Sequence, residues 1–161
     1  MTTAEKEAGT EVKAAPQLFS LKSPLLAQGR FDNHVAQTDL LKVTVKVYAS
    51  GGENAMHKHP YEDHAFVVLQ GQATFHLETD DNVKVLNKND GVMIPKGVCY
   101  WFLCSSTAEN LVMLRVGAAT QWPKNRRAFP DGQPFVGDTK ENLIANKAGE
   151  RIDLPGQFFT L

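Results

Sequence analysis

Several things the sequence lacks narrow its class before any motif is considered. It has no uninterrupted apolar run long enough to span a bilayer, which excludes a membrane helix. Its 17 Lys and Arg stand against 18 Asp and Glu, a net charge of −1, with no basic block. A phosphate backbone is bound by clustered Lys and Arg, so no nucleic acid and no anionic membrane is expected as a main partner. Cysteine is scarce: Cys99 and Cys104 lie in one apolar stretch, which suits reduced core thiols better than a disulfide framework. Met1 to Lys13 is polar and has no signal-peptide-like apolar segment, so a soluble, cytoplasmic protein is expected. Long helical periodicity is also missing. What remains, at 161 residues and 42% hydrophobic, is one domain large enough to fold without disulfides or a structural metal.

What is present is strand texture. Between Asp39 and Ser50, Leu41, Val43, Val45 and Val47 alternate with Lys42, Thr44, Lys46 and Tyr48, the period-two signature of a half-buried strand. Short apolar runs follow at 65–69, 73–77, 83–86, 92–94, 100–103 and 111–116. Gly51-Gly52, Gly71-Gln72, Asn89-Asp90-Gly91 and Pro95-Lys96-Gly97 separate them, and these are turn compositions. Closely spaced short strands predict an all-β sandwich or barrel. Residues 1–30 read as an arm, in part disordered, 31–118 as the barrel, and 119–161 as an extension packing on the barrel or on a partner subunit. The extension ends in apolar Phe158, Phe159 and Leu161, and a turn or two of helix is expected at 138–144.

Four of the five histidines, His34, His57, His59 and His64, lie within 31 residues, and three of them within eight. On a strand, His57 and His59 project to one face. Pro60-Tyr61-Glu62-Asp63 reads as a turn, from which His64 opens the next strand and returns a third imidazole to the same point. Three neutral imidazoles with open positions suit a first-row transition metal; the bland alternative is a solvated strand end. Glu62 and Asp63 offer a carboxylate ligand or a general base, although acids in turns are ordinarily solvated. His34 reads as cavity-lining or surface, and the direction of His76 is open. Cys99 and Cys104 read as core residues rather than nucleophiles. Phe66, Val68, Met93, Trp101, Phe102 and Met113 read as core, some of them lining a pocket. Arg115, Arg126 and Arg127 are candidates to clamp a carboxylate or to be solvated.

Gly51, His57, His59, His64 and Gly71 resemble the first motif of the cupin superfamily, with His64 in the slot of the motif glutamate. The stretch from Asn89 through Pro95, Gly97 and Tyr100 resembles the second motif, with Asn89 for its glycine, Tyr100 for its histidine and Cys104 for its asparagine. The resemblance covers Asp39 to Gly117. It implies a small antiparallel jelly-roll barrel with one divalent transition metal per chain, iron or zinc ahead of nickel, copper or manganese, held by His57, His59 and His64. Tyr100 is then either a phenolate ligand or, as we expect, a hydrogen-bonding acid/base just outside the ligand set. With His64 in place of a carboxylate, the metal keeps more of its charge and is the stronger Lewis acid toward an anionic ligand.

Two functions follow as expectations. The first is a metal-dependent enzyme acting on a small oxygen-bearing, enolisable or carboxylate substrate, by dioxygenase or isomerase/lyase chemistry, with Tyr100 and Glu62 as candidate catalytic groups. The second is a non-catalytic small-ligand-binding cupin whose metal is structural or lost. The resemblance further implies a homodimer in which residues 1–30 cross over.

Overall fold

The computed structural model describes residues 14–161 apart from 53–54, 125 and 135–148, and it is all-β. Ten strands follow in order: β1 (Ser23–Gln28), β2 (Arg30–Gln37), β3 (Leu41–Tyr48), β4 (Asp63–Gln70), β5 (Gln72–Leu77), β6 (Val83–Asn87), β7 (Gly91–Ile94), β8 (Tyr100–Cys104), β9 (Leu111–Ala118) and β10 (Ile152–Phe159). Among the described residues there is no α-helix, and so none long and apolar enough to cross a membrane. The helical turn expected at 138–144 lies outside the described residues.

A five-stranded sheet, β2-β3-β9-β4-β7, faces a three-stranded one, β6-β5-β8, and all pairings are antiparallel. This is one of the all-β architectures that the strand pattern predicted and the jelly-roll barrel that the motif resemblance implied. The turns carry the required backbone geometry. Gly71 joins β4 to β5 at φ 78°, and Asn89, standing where the second motif has glycine, adopts φ 76°. Asparagine enters this left-handed region more readily than other non-glycine residues, so the departure from the motif leaves the turn intact.

Alternate residues of both sheets fill the barrel. Phe66 and Met113 from the large sheet meet Phe75, Tyr100 and Phe102 from the small one, all at most 1% exposed. A second cluster lies on the outer face of the large sheet. There β1 pairs with β10, and Leu26 and Phe159 close over Val45, Val47 and Val112. Each such apolar side-chain burial contributes roughly 1.5–3 kcal/mol. Strand β1 and strand β10 thus form one ribbon on the chain's own barrel. Residues 23–28, counted from the sequence in the arm of 1–30, are a strand that pairs within the chain.

This ribbon changes the meaning of β3. The alternation suggested a strand with one solvated face, yet Val45 and Val47 are buried under the ribbon while Thr44, Lys46 and Tyr48 are buried on the barrel side, Lys46 only 6% exposed. The polar face of β3 looks into the barrel. Met93, expected in the core, is 75% exposed, because it lies next to the buried Ile94 on β7 and strand alternation turns it to the opposite face.

Candidate metal centre

The segment from His57 to His59 is too short to form a named strand, but it is held extended from both sides. His57 exchanges two backbone hydrogen bonds with Tyr100, of 3.1 and 2.8 Å, and the Gly97 amide donates to the His59 carbonyl at 2.9 Å. On the other edge Lys58 exchanges two with Ala128, of 2.8 and 2.9 Å. The second motif region therefore clamps the first, and alternation along an extended backbone sends His57 and His59 to the same side. Pro60 and Tyr61 make the expected turn, and His64 enters β4 on its inward face, paired with Ile94 and Gly117.

The three imidazoles meet inside the barrel mouth. Ring centroids lie 5.3 Å apart for His57 and His59 and 4.8 Å apart for His59 and His64, and the Tyr100 ring is 4.7 Å from His57 and 5.2 Å from His64. His57, His59, His64 and Tyr100 are all buried. The Tyr100 hydroxyl is 3.4 Å from His59 Nε2. His57 Nδ1 lies 3.1 Å from the Ala55 carbonyl, which can only accept, so Nδ1 carries the proton and Nε2 keeps a lone pair.

Glu62, a candidate ligand or general base, is not a solvated turn acid. It is 3% exposed, with Oε2 at 3.3 Å from His59 Nδ1 and Oε1 at 2.5 Å from Arg115 Nη2. Burial alone would raise its carboxyl pKa; the His59 contact and the Arg115 charge outweigh burial and bring it down to about 2. Gly117 makes the room, since a Cβ there would collide with the Glu62 carboxylate. Because a carboxylate only accepts, the Glu62 contact favours the proton on His59 Nδ1 and turns the Nε2 lone pair toward Tyr100. This is the arrangement by which outer-shell carboxylates orient metal-binding imidazoles.

His64 tests whether these residues fit a metal. It is 3% exposed and neither ring nitrogen has a hydrogen-bond partner. Burial, then the Arg115 and His59 charges, push its pKa down to about 2, so the ring is neutral at any ordinary pH. An unsatisfied buried polar group costs about 1–3 kcal/mol, and coordinating a cation relieves that cost. One ligand atom each from His59, Glu62 and His64 lies within 4.8 Å of the others. Neutral nitrogen donors beside one carboxylate suit a divalent transition metal.

The remaining candidates separate clearly. Asp63 is exposed and accepts from the Lys96 amide at 2.8 Å. His76 faces away from the barrel interior and stacks on Trp101 at 4.0 Å. Cys104 is a buried thiol whose pKa burial pushes up, and Cys99 is half-buried. His34 lines the cavity from β2, its Nδ1 3.0 Å from the Thr44 hydroxyl.

The cavity leading to the cluster measures about 340 Å³, and Arg115, Arg126 and Arg127 all border it. So do Arg30, Lys42 and Lys46, which sequence reasoning missed. Lys42 and Lys46 share a strand face with Tyr48, an arrangement that looks solvated until the barrel closes over it.

Comparison with known proteins agrees with this architecture. Residues 44–117 match the family model of the cupin domain. A Bacillus subtilis protein called uncharacterized protein YdbB is 36% identical over 56 residues, 35% of this chain, and the match spans about half of that protein's length. Among solved structures, a Klebsiella pneumoniae protein with a double-stranded β-helix domain superposes with TM-score 0.56 at 22% identity, over 71% of this chain and 96% of that one. The cupin domain of Schizosaccharomyces pombe Cnp3 gives 0.52 at 16% identity, over 58% and 67%. With its motif histidines gathered at the mouth of a jelly-roll barrel, the stretch 44–117 forms a cupin-type domain.

Proposed function

We propose that the chain is a metal-dependent enzyme acting on a small, enolisable, carboxylate-bearing molecule by isomerase or lyase chemistry, that is, by proton transfer. The observation that carries this reading is His64, a buried neutral imidazole with two unsatisfied nitrogens among His59, Glu62 and Tyr100. In this reading His57, His59 and His64 hold the metal, and Glu62, expected from the sequence to be catalytic, is a positioning residue that orients His59. A divalent metal at this point supplies Lewis acidity toward a carbonyl or carboxylate oxygen.

The chain's own groups supply the rest. The Tyr100 hydroxyl, 3.4 Å from His59 Nε2 at the buried end of the cavity, donates or holds the proton that moves. Arg115 keeps Glu62 ionised, so that His59 stays in one tautomer. The aromatic floor of Phe66, Phe75 and Phe102 excludes water from behind the site.

Metal analysis of protein purified without chelator tests the proposal. Close to one equivalent of a transition metal per chain is expected, and it should disappear in the double variant His57→Ala, His59→Ala. Less than a tenth of an equivalent overturns the enzyme reading in favour of a ligand-binding cupin. Zinc supports proton-transfer chemistry, whereas iron with oxygen uptake overturns that assignment in favour of a dioxygenase.

A further inference from the structure

We infer that the pocket selects a compact ligand carrying at least two negative charges, one group directed to the histidine end and the other to a basic rim of Lys42, Arg126 and Arg127. The inference deepens the function proposed above and rests on it for the inner end only.

The first observation is a local excess of charge. Six cationic side chains, Arg30, Lys42, Lys46, Arg115, Arg126 and Arg127, line the cavity against two carboxylates, Asp32 and Glu62. Both carboxylates are already in ion pairs, Asp32 with Lys46 at 3.1 Å and Glu62 with Arg115. The whole chain carries −1, so the predominance of cationic side chains among the described lining residues is a property of this site and not of the overall composition. Like charges focused in a concave, partly desolvated space repel, and they raise the local concentration of anions. Lys42 registers the crowding: burial, then Arg126, lowers its pKa.

The second observation is that the basic rim is built in place. The Trp122 ring lies 4.3 Å from Lys42 Nζ, and the indole nitrogen donates to the Asp39 carbonyl at 2.7 Å. Further along, Ala128 pairs in both directions with Lys58, the residue between two of the histidines, and Lys58 Nζ donates to the Pro130 carbonyl at 3.0 Å. Trp122 and Ala128, on either side of Arg126 and Arg127 in sequence, are thus held to Asp39 and Lys42 and to the histidine segment respectively.

The third is the polarity of the space. Its inner end, with His59, Glu62 and Tyr100, is buried, while Arg126 at the rim is exposed and Arg127 half-buried. A ligand reaching between them meets cation-binding chemistry at one end and planar guanidinium forks at the other, and such forks match carboxylate and phosphate oxygens alike. A cavity of about 340 Å³ holds a metabolite-sized molecule rather than a polymer.

Calorimetric titration at constant ionic strength tests this, with succinate as a dicarboxylate, phosphoglycolate as a carboxylate that carries a phosphate at its other end and acetate as a monoanion. At least one dianion should bind tenfold or more tightly than acetate, and the tighter one names the source of the second charge. The R126Q/R127Q double variant should bring that dianion to within about threefold of acetate while weakening acetate far less than the dianion. Should that variant fail to fold by circular dichroism, K42Q carries the same comparison. Equal binding of all three probes, or a variant that weakens acetate as much as the dianion, overturns the inference. Metal content is measured in the same samples. Dianion preference without metal overturns the proposed function alone, and full metal without dianion preference overturns this inference alone.

Discussion

The Arg115 guanidinium meets the Glu62 carboxylate at 2.5 Å, with the two side chains 12% and 4% exposed, while the other carboxylate oxygen faces His59. A single buried acid therefore joins a permanent cation to an imidazole of the candidate metal centre. Arg115 projects inward from β9 on the same face as Met113 and Leu111, so the pair is part of the barrel filling and not a surface contact. Its value lies in what each partner prevents: Arg115 keeps Glu62 ionised against desolvation, and Glu62 offsets part of the cavity's positive charge.

Arg115→Met leaves the Glu62 carboxylate buried without its cation. Removing one member of a buried pair costs about 3–5 kcal/mol, and loss of the oriented His59 should weaken metal binding about 10–100-fold. Urea denaturation and metal titration measure the two effects. An unchanged midpoint would show that the pair carries no net weight.

Gly117→Ala should act on the same acid from the opposite side. The new Cβ would occupy the position of the Glu62 carboxylate and force it off Arg115. Both stability and metal affinity should fall, and the loss should shrink when Glu62 is already alanine. A double-mutant cycle detects this coupling, expected at about 0.5–3 kcal/mol; simple additivity would mean that Gly117 serves another purpose.

Acid should destabilise the metal-free protein earlier than carboxylate titration would. His64 falls from its ordinary 6.5 to about 2 on folding. Below pH 6.5 the unfolded chain takes up a proton on His64 that the folded chain refuses, so this contribution is complete above pH 6.5 and drains as pH falls. Between pH 7 and pH 5 the loss is about 2 kcal/mol. Glu62, lowered from 4.5 to about 2, contributes above pH 4.5 and is lost only as pH drops toward 2, outside that interval. Urea midpoints of chelator-treated protein at the two pH values give the difference, and His64→Gln should flatten it.

Tyr100→Phe separates the two roles open to the phenol. The ring remains to pack against His57, Phe66 and Phe75, so stability should change by only about 1 kcal/mol. Metal occupancy should stay intact while turnover falls, by about 10²–10⁴-fold for a proton-transfer group. Loss of the metal would make the hydroxyl a ligand.

Much of the fold was legible because it depends on local chemistry. The alternation in β3, the Gly71 turn and the run of short strands each follow from backbone sterics and period-two burial. The histidine cluster was legible too, since His57, His59 and His64 are close in sequence and one turn brings them together. Glu62 was not: its burial depends on Arg115, which lies 53 positions away, and on the missing side chain of Gly117 across the sheet.

The sequence by itself determined an all-β sandwich or barrel and three imidazoles close together, because strand period and turn geometry act between near neighbours, and its resemblance to the cupin motifs implied the jelly roll. Only the tertiary structure decided the character of the cavity. A strand's polar face has the same alternation whether it meets bulk water or a barrel interior, and the choice is made by what covers the opposite face. Here β1 and β10 cover the valines of β3, turning Lys42, Thr44, Lys46 and Tyr48 inward, where Arg115, Arg126 and Arg127 join them from distant parts of the chain. Charges that look dispersed along a nearly neutral sequence are thereby concentrated in front of one buried site.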